Sequence, residues 1–421
     1  MFEQFGIEDL RDREAALRDR IAELERQKSI AAAEQARAAA QWDAVRRQIE
    51  AGAGVPTARR GRGLASEIAL ARRDSPIKGD QHLGFAKALV HEMPYTLAAL
   101  DAGVLSEWRA TLIVRESACL TVEDRRRLDH EMCADPAALD GLGNKRIRAE
   151  AKKIAYRLDP RAVVDKAAKA PEDRTVSTRP AADNMVYLTA LMPLTQGIAC
   201  YASLKREADV NPDGRSRGQT MSDTVYERLT GRSAVAPVPI TVDVVLSDEA
   251  LIGTSDEPAE VPEHGPIPAE LARRLITEAI DERGWVALRR LYATPSTGAL
   301  VAMDSRARTF PRGLAQFIRL RDQTCRTPFC DAPIRHIDHA EPHRHGGPTD
   351  ALNGRGCCEQ CNYTKEQPGW RVRTYFDPAG RHVAEHITPT GAVYRSTAPP
   401  VAGGLRILTR DVHLVTVNRA A

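Results

Sequence analysis

The chain has 421 residues, 43% of them apolar and 28% charged, with a formal net charge of +3. That length suits two or three domains with real cores, and the charge is too mild to name a nucleic-acid partner unless it is locally concentrated. The N-terminus, MFEQFGIEDLRDREAAL, is charged where a signal peptide needs an apolar core, and no apolar run approaches the roughly 18 residues of a membrane span. These features predict a cytoplasmic protein with no membrane partner.

In chain order, the first predicted element is a long helix over residues 1–50. Ile7, Leu10, Leu17, Ile21, Leu24, Ala31, Ala38, Trp42, Val45 and Ile49 recur at coiled-coil spacing, and Glu14, Lys28 and Gln35 interrupt the seam. Two readings stay open: a solvated helix docked on its own domain, or a helix that self-associates with another copy. Residues 51–63, AGAGVPTARRGRG, have the composition of a linker.

Residues 64–300 read as a mostly helical domain. HLGFAKALVHEMPYTLAALDAG and LSEWRATLIVRESACL carry helical patterns, and Thr121 and Asn144 are candidate N-caps of the two helical stretches that follow. MSDTVYERLTG and AELARRLITEAI are further helices. Between them PITVDVVLS alternates like a strand, and DEPAEVPEHGPIP reads as a Pro-rich acidic loop. Residues 301–375 form a separate small module. Residues 376–421 form a β-rich extension, and from Trp370 on, WRVRTYF, RHVAEHI and GAVYRS are β-rich runs expected to form hairpins, separated by the turn sequences DPAG and TPTG. A last strand is expected in LRILTRDVHLVTV.

Chemistry concentrates between about residues 320 and 370. Cys325, Cys330, Cys357, Cys358 and Cys361 fall within 37 residues, whereas Cys119, Cys133 and Cys200 stand alone. In an intracellular chain such clustering points to metal before disulfide. Cys325-x4-Cys330 and Cys358-x2-Cys361 have the spacing of two knuckles that deliver four thiolates to one structural zinc. Four idle thiols are the alternative, and Cys357 can replace Cys358 in that register. A module of this size has little room for an apolar core, so zinc would be its staple.

Between the cysteine pairs, Asp338 and His339 are neighbours, and a strand there would send their side chains to opposite faces. Gly346, Gly347 and Pro348 supply a turn, and Asn353 then offers an amide to fix the loop. CEQCNYTKEQPGW reads as a short helix that starts near Cys358 and stops before Pro368. It places Cys358, Cys361, Asn362 and Lys365 at i, i+3, i+4 and i+7 on one face.

The Asp338–His339 pair, Asn353 and CxxCN at 358–362 with Lys365 resemble the HNH endonuclease motif on a ββα-metal finger, over roughly residues 320–370. The sequence departs from it at Asn362, where the third name-giving residue is histidine; asparagine remains a competent oxygen ligand. The resemblance implies a fold that is mainly α in its N-terminal region and α+β beyond, with a zinc-stapled ββα-metal finger followed by β-hairpins. It implies hydrolysis of DNA phosphodiester bonds, with His339 activating water and Asp338 and Asn362 holding one Mg²⁺ or Mn²⁺. Asn353 would position the His339 loop and Lys365 would meet a phosphate. An ordinary histidine has a pKa of about 6.5, so activity should fall in acid.

His336, His343 and His345 read as solvent-facing and stay outside the metal set. From Ser305 to Arg373 there are twelve Lys or Arg against seven Asp or Glu, an excess that favours phosphate. Arg319, Arg321, Arg326 and Arg335 flank the first knuckle and are either solvated surface or contacts to the DNA backbone. ALVHEMPYTLAALDAGVLSEWRA, the Leu-Asp-Pro at 158–160 and GRSRGQTMSDTVYERL resemble DUF222, also called the 13E12 repeat domain, a helical domain that often precedes HNH modules. Two other functions compete with a nuclease: a catalytically silent zinc-stabilised DNA-binding module, and a scaffold in which the N-terminal helices assemble several copies.

Overall fold

The computed structural model describes residues 7–210, 214–234, 250, 253–261, 265–281, 304–305 and 309–400. The strand expected in PITVDVVLS and the one expected in LRILTRDVHLVTV lie outside these residues. The chain divides into two compact units, one of Met1–Thr175 with Ala190–Pro193 and the other of Val176–Thr189 with Leu194–Ala421. Among the described residues no helix is long and apolar enough to cross a membrane.

The first unit is helical. Helix α1 (Ile7–Gly52) buries Ser29, Ala32, Ala33, Ala36, Ala39, Ala40, Asp43 and Arg46, which recur every three or four residues and so share one face. These mostly small side chains let α1 sit closely on α3 (Gly79–Glu92) and α4 (Pro94–Asp101). The docked reading of α1 therefore holds for its second half. The 51–63 stretch is a tight connector: Thr57–Arg59 make a 3₁₀ turn, and the Gly61 N–H donates to Glu50 Oε2 at 2.6 Å.

Helices α2 (Leu64–Ala71), α5 (Glu107–Glu116), α6 (Val122–Cys133), α7 (Asn144–Leu158) and α8 (Pro160–Lys169) complete the unit. Its core is built from Leu64, Ile68, Leu89, Met93, Leu100, Ile113, Leu128 and Ile147, each burial stabilising the fold by roughly 1.5–3 kcal/mol. Pro94 splits the expected long helix into α3 and α4, because a proline is tolerated in a first turn and not in an interior. Buried Asp129 accepts from the Tyr95 and Thr96 N–H groups, both at 2.8 Å, and so caps α4 from α6. Thr121 caps α6 as expected. Asn144 does not cap α7: it is the first helical residue, and Gly143 holds the cap position without a side-chain bond.

Where the chain passes between the units, β1 (Thr175–Pro180) and β2 (Val186–Leu191) pair as a hairpin within a region read as helical. Helices α9 (Leu194–Val210) and α10 (Arg217–Thr230) follow, with a Ser216 capping box on α10. The acidic loop contains a short antiparallel ladder of β3 (Ala259–Val261) and β4 (Gly265–Ile267), and α11 (Ala269–Asp281) succeeds it.

The C-terminal region holds small antiparallel sheets. β5 (Asp304–Ser305) pairs with β7 (Thr349–Asp350), and α12 (Arg312–Asp322) buries Leu314, Phe317 and Ile318 against Ala351. β6 (His336–His339) runs antiparallel to β8 (Gly354–Cys357), with Asp338 opposite Arg355 and His339 opposite Gly354, and α13 (Glu359–Lys365) follows directly. The expected hairpins form one three-stranded sheet, β9 (Arg371–Phe376), β10 (His382–Ile387) and β11 (Val393–Thr397), with β10 central.

Candidate functional site

Two neighbouring features occupy the module around β6, β8 and α13. The first is the cysteine cluster. Cys325, Cys330, Cys358 and Cys361 are buried, and their sulfurs lie within 4.8 Å of one another. Cys330 Sγ is 3.7 Å from Cys358 Sγ and 3.6 Å from Cys361 Sγ. A tetrahedron with zinc–sulfur bonds of about 2.3 Å has edges of about 3.8 Å, so the four sulfurs fit a zinc ion. The sequence builds this locally. Phe329 and Asp331 take left-handed φ values of 63° and 45° to turn the first knuckle, and Cys358 N-caps α13, its sulfur accepting from the Cys361 N–H at 3.4 Å. Cys357 stands outside the cluster, paired across from His336 on β8, and burial pushes its thiol pKa up. The 358–361 register is the one the fold uses.

The second feature is a cleft of about 830 Å³ beside the β6–β8 ladder, whose lining includes Asp338, His339, Asn362, Lys365, Arg319 and Arg335. Asp338 and His339 turn to different partners, as alternation along β6 requires. Asp338 Oδ2 is ion-paired with Lys365 Nζ at 2.8 Å and accepts from Arg355 Nη2 at 3.4 Å. His339 Nε2 lies 2.9 Å from Thr349 Oγ1, and its ring centroid is 4.4 Å from that of Phe310 and 5.8 Å from that of His343. Burial lowers the His339 pKa below the ordinary histidine value; Asp338 opposes that shift, while His343 and Lys365 add to it.

Asn353 fixes the loop that follows His339. Its Oδ1 accepts from the Glu341 N–H at 2.8 Å, and its Nδ2 donates to the carbonyls of Glu341 at 3.0 Å and Pro348 at 2.8 Å. The Gly346–Gly347 turn closes the same loop. Gly346 has a φ of 93°, and a Cβ on Gly347 would collide with the Glu341 carbonyl oxygen.

Lys365 is buried, ion-paired with Asp338 and donating to the His339 carbonyl oxygen at 2.7 Å, so it ties α13 to β6 at the edge of the cleft. Arg321 and Arg326 are buried and are not surface contacts to DNA. Arg321 pairs with Asp322 at 2.7 Å and donates to the carbonyls of Ala351 and Gly354, while Arg326 donates to those of His382 and Ser396. Burial opposes ionisation of Asp322, but Arg321 and Arg326 outweigh it and hold its pKa below the usual carboxylate value. Of the four arginines, Arg319 and Arg335 are the exposed pair on the cleft.

Sequence reasoning left out Arg344, His343, Phe310 and Thr349. Arg344, His343 and Phe310 line the cleft, and Thr349 bonds His339 from β7. His336 also lines the cleft, whereas His345 faces Glu341 at 3.8 Å. The spacing of His339 and His343 hinted at their proximity; nothing in the sequence pointed to Thr349.

The fold and site thus define a protein with a large helical region joined to a small sheet-and-helix module that carries a zinc-compatible cysteine cluster beside a basic cleft. The family described as Domain of unknown function (DUF222) matches residues 21–322, and the chain belongs to it. That match ends at Asp322, before the first clustered cysteine. Comparison with curated proteins and with solved structures gives no match.

Proposed function

We propose that the 301–375 module is an HNH-type endonuclease, a ββα-metal finger that hydrolyses DNA phosphodiester bonds with a bound Mg²⁺ or Mn²⁺. The observation that carries the reading is the convergence of His339 and Asp338 from β6 and Asn362 from α13 on one basic cleft, with β6 paired antiparallel to β8 and α13 N-capped by a cysteine of the cluster. When bound, the divalent ion would neutralise charge on the phosphate and the departing oxygen. Both ion pairs of Asp338 go to Oδ2, so Oδ1 is the oxygen this carboxylate offers to the ion, and Asn362 offers its amide oxygen from α13. Hard oxygens suit Mg²⁺ or Mn²⁺ and thiolates suit zinc, so the two metal sites separate by chemistry.

His339 acts as the base. With Nε2–H donating to Thr349 Oγ1, Nδ1 carries the lone pair that takes the proton of the attacking water. Burial keeps the ring neutral, as a base must be. Asn353 holds the loop after His339, and Lys365 positions Asp338 relative to that strand. Arg319, Arg335 and Arg344 give the cleft the positive charge that phosphates require.

One observation favours a second reading. Asp338 already has two cationic partners, as it would in a silent zinc-stabilised DNA-binding module. Supercoiled plasmid incubated with the full chain in Mg²⁺, Mn²⁺ or EDTA separates the two. The nuclease reading expects nicked or linear DNA that EDTA abolishes, whereas plasmid that is retarded in a gel but stays intact under every condition supports the silent module.

A further inference from the structure

Helix α1 has two apolar faces, and the fold uses one. The buried face runs through Ala32, Ala33, Ala36, Ala39 and Ala40. The heptad seam is a different set of residues, and it is exposed: Leu10, Leu17 at 59%, Ile21 at 68%, Leu24, Val45, and Ile49 at 64%. At 100° per residue the seam positions Ala31, Ala38 and Val45 fall roughly opposite Ala36, so docking α1 on its own unit leaves the seam open. A seam of this kind, with Leu10, Leu17 and Leu24 at successive d positions and Ile21 at an a position, matches what a facing helix covers.

We propose that the occupant of this seam is a second copy of the chain, docked antiparallel along α1 with Ile21 of one copy facing Leu24 of the other. Charge complementarity fixes both the occupant and its direction. In that register Arg18 faces Glu25 of the second copy and Arg13 faces Glu34. Glu14 and Lys28, the two charged interruptions of the seam, fall in adjacent layers of opposite chains. A parallel pair sets Glu14 against Glu14, Lys28 against Lys28 and Arg13 against Arg18, three like-charge contacts that outnumber its one favourable pair, Arg20 with Glu25. Sliding the antiparallel pair by one heptad brings Arg18 and Arg20 each against its own counterpart in one direction, and Glu25 against Glu25 in the other. The charges that break the heptad within one chain thus specify the orientation between two.

In the single chain Arg18 pairs with Asp19 and Lys28 with Glu25 on exposed surface, and such pairs exchange readily. The buried docking face is untouched by the pairing, so the unit folds with or without its partner.

Sedimentation of the full chain at micromolar concentration tests this. The wild type should sediment as a dimer. Leu17→Asp with Ile21→Asp should raise the dissociation constant by about a hundredfold or more, while circular dichroism and the unfolding midpoint of the helical unit stay unchanged. Arg18→Glu should weaken the dimer by a few-fold at low salt, and adding Glu25→Arg should restore it. In a parallel pair Arg18→Glu would strengthen association by meeting Arg13. A monomeric wild type, a dimer indifferent to the double aspartate variant, or an Arg18→Glu dimer tighter than wild type each overturns the proposal.

Discussion

At the scale of single residues, two arginines two positions apart in sequence, and so on opposite faces of α12, do opposite things. Arg319 is exposed on the cleft, and Arg321 is buried against Asp322. Arg319→Ala should weaken DNA binding and reduce its salt dependence by about one counterion, with no change in the unfolding midpoint. Arg321→Ala should cost about 3 kcal/mol of stability, because it removes one of the two cations that hold Asp322 charged in the interior; urea unfolding checks both. His382 and His386 are buried, and burial together with nearby arginines lowers the pKa of each to about 3. Both are neutral in the fold but titrate near 6.5 when unfolded, so the unfolded chain binds more protons between those values. Their contribution is complete above about pH 6.5 and declines as the pH falls toward 3. Urea midpoints of the C-terminal module should follow that direction, and a midpoint constant from pH 7 to 4 contradicts it.

At the scale of elements, the apolar cluster around α12 is small, Leu314, Phe317, Ile318 and Ala351 with Phe310, Leu320 and Ile337 packed on it, so a zinc ion in the cysteine cluster is expected to carry much of the module's stability. Cys358→Ser removes a candidate zinc ligand while keeping a side chain able to N-cap α13, so it isolates the loss of the thiolate. Bound zinc should fall below one equivalent, and near-ultraviolet dichroism of the module should collapse, a loss on the order of 10 kcal/mol of metal binding. A variant that keeps its fold without metal contradicts the staple. How legible these elements were depended on how local their causes are. The Cys325–Cys330 and Cys358–Cys361 spacing and the helix from Cys358 to before Pro368 are written in a few adjacent residues, so both could be read directly. The β1–β2 hairpin was missed, although Asp183 and Asn184 both adopt a φ of 58°, which those two residue types tolerate better than most. The partners of Arg321 and Arg326 lie on β8, β10 and β11, and the ion pair of Lys365 with Asp338 reaches back to β6, all remote in sequence, so no local pattern marks them. The adjacent Arg321 and Asp322 were the available signal.

At the scale of the whole molecule, the DUF222 match stops at Asp322, so it takes in Phe310 and Arg319 on one wall of the cleft but none of Asp338, His339, Asn362 or the clustered cysteines. The chemistry proposed for the cleft rests on its own side chains: a half-buried imidazole whose pKa burial lowers, a carboxylate whose ion pairs are both on Oδ2, and an amide lining the same cleft. The two compact units have separate cores. Chelating the zinc should therefore melt the module while the helical dichroism of α1–α8 persists. The measurement that bears most directly on the central claim compares wild type with His339→Ala, matched for zinc content, on supercoiled plasmid in Mg²⁺ or Mn²⁺. Nicking or linearisation by the wild type, with loss of at least about a hundredfold in the variant, is the predicted result. Equal cleavage by the two proteins, or intact plasmid with both in every metal, contradicts it.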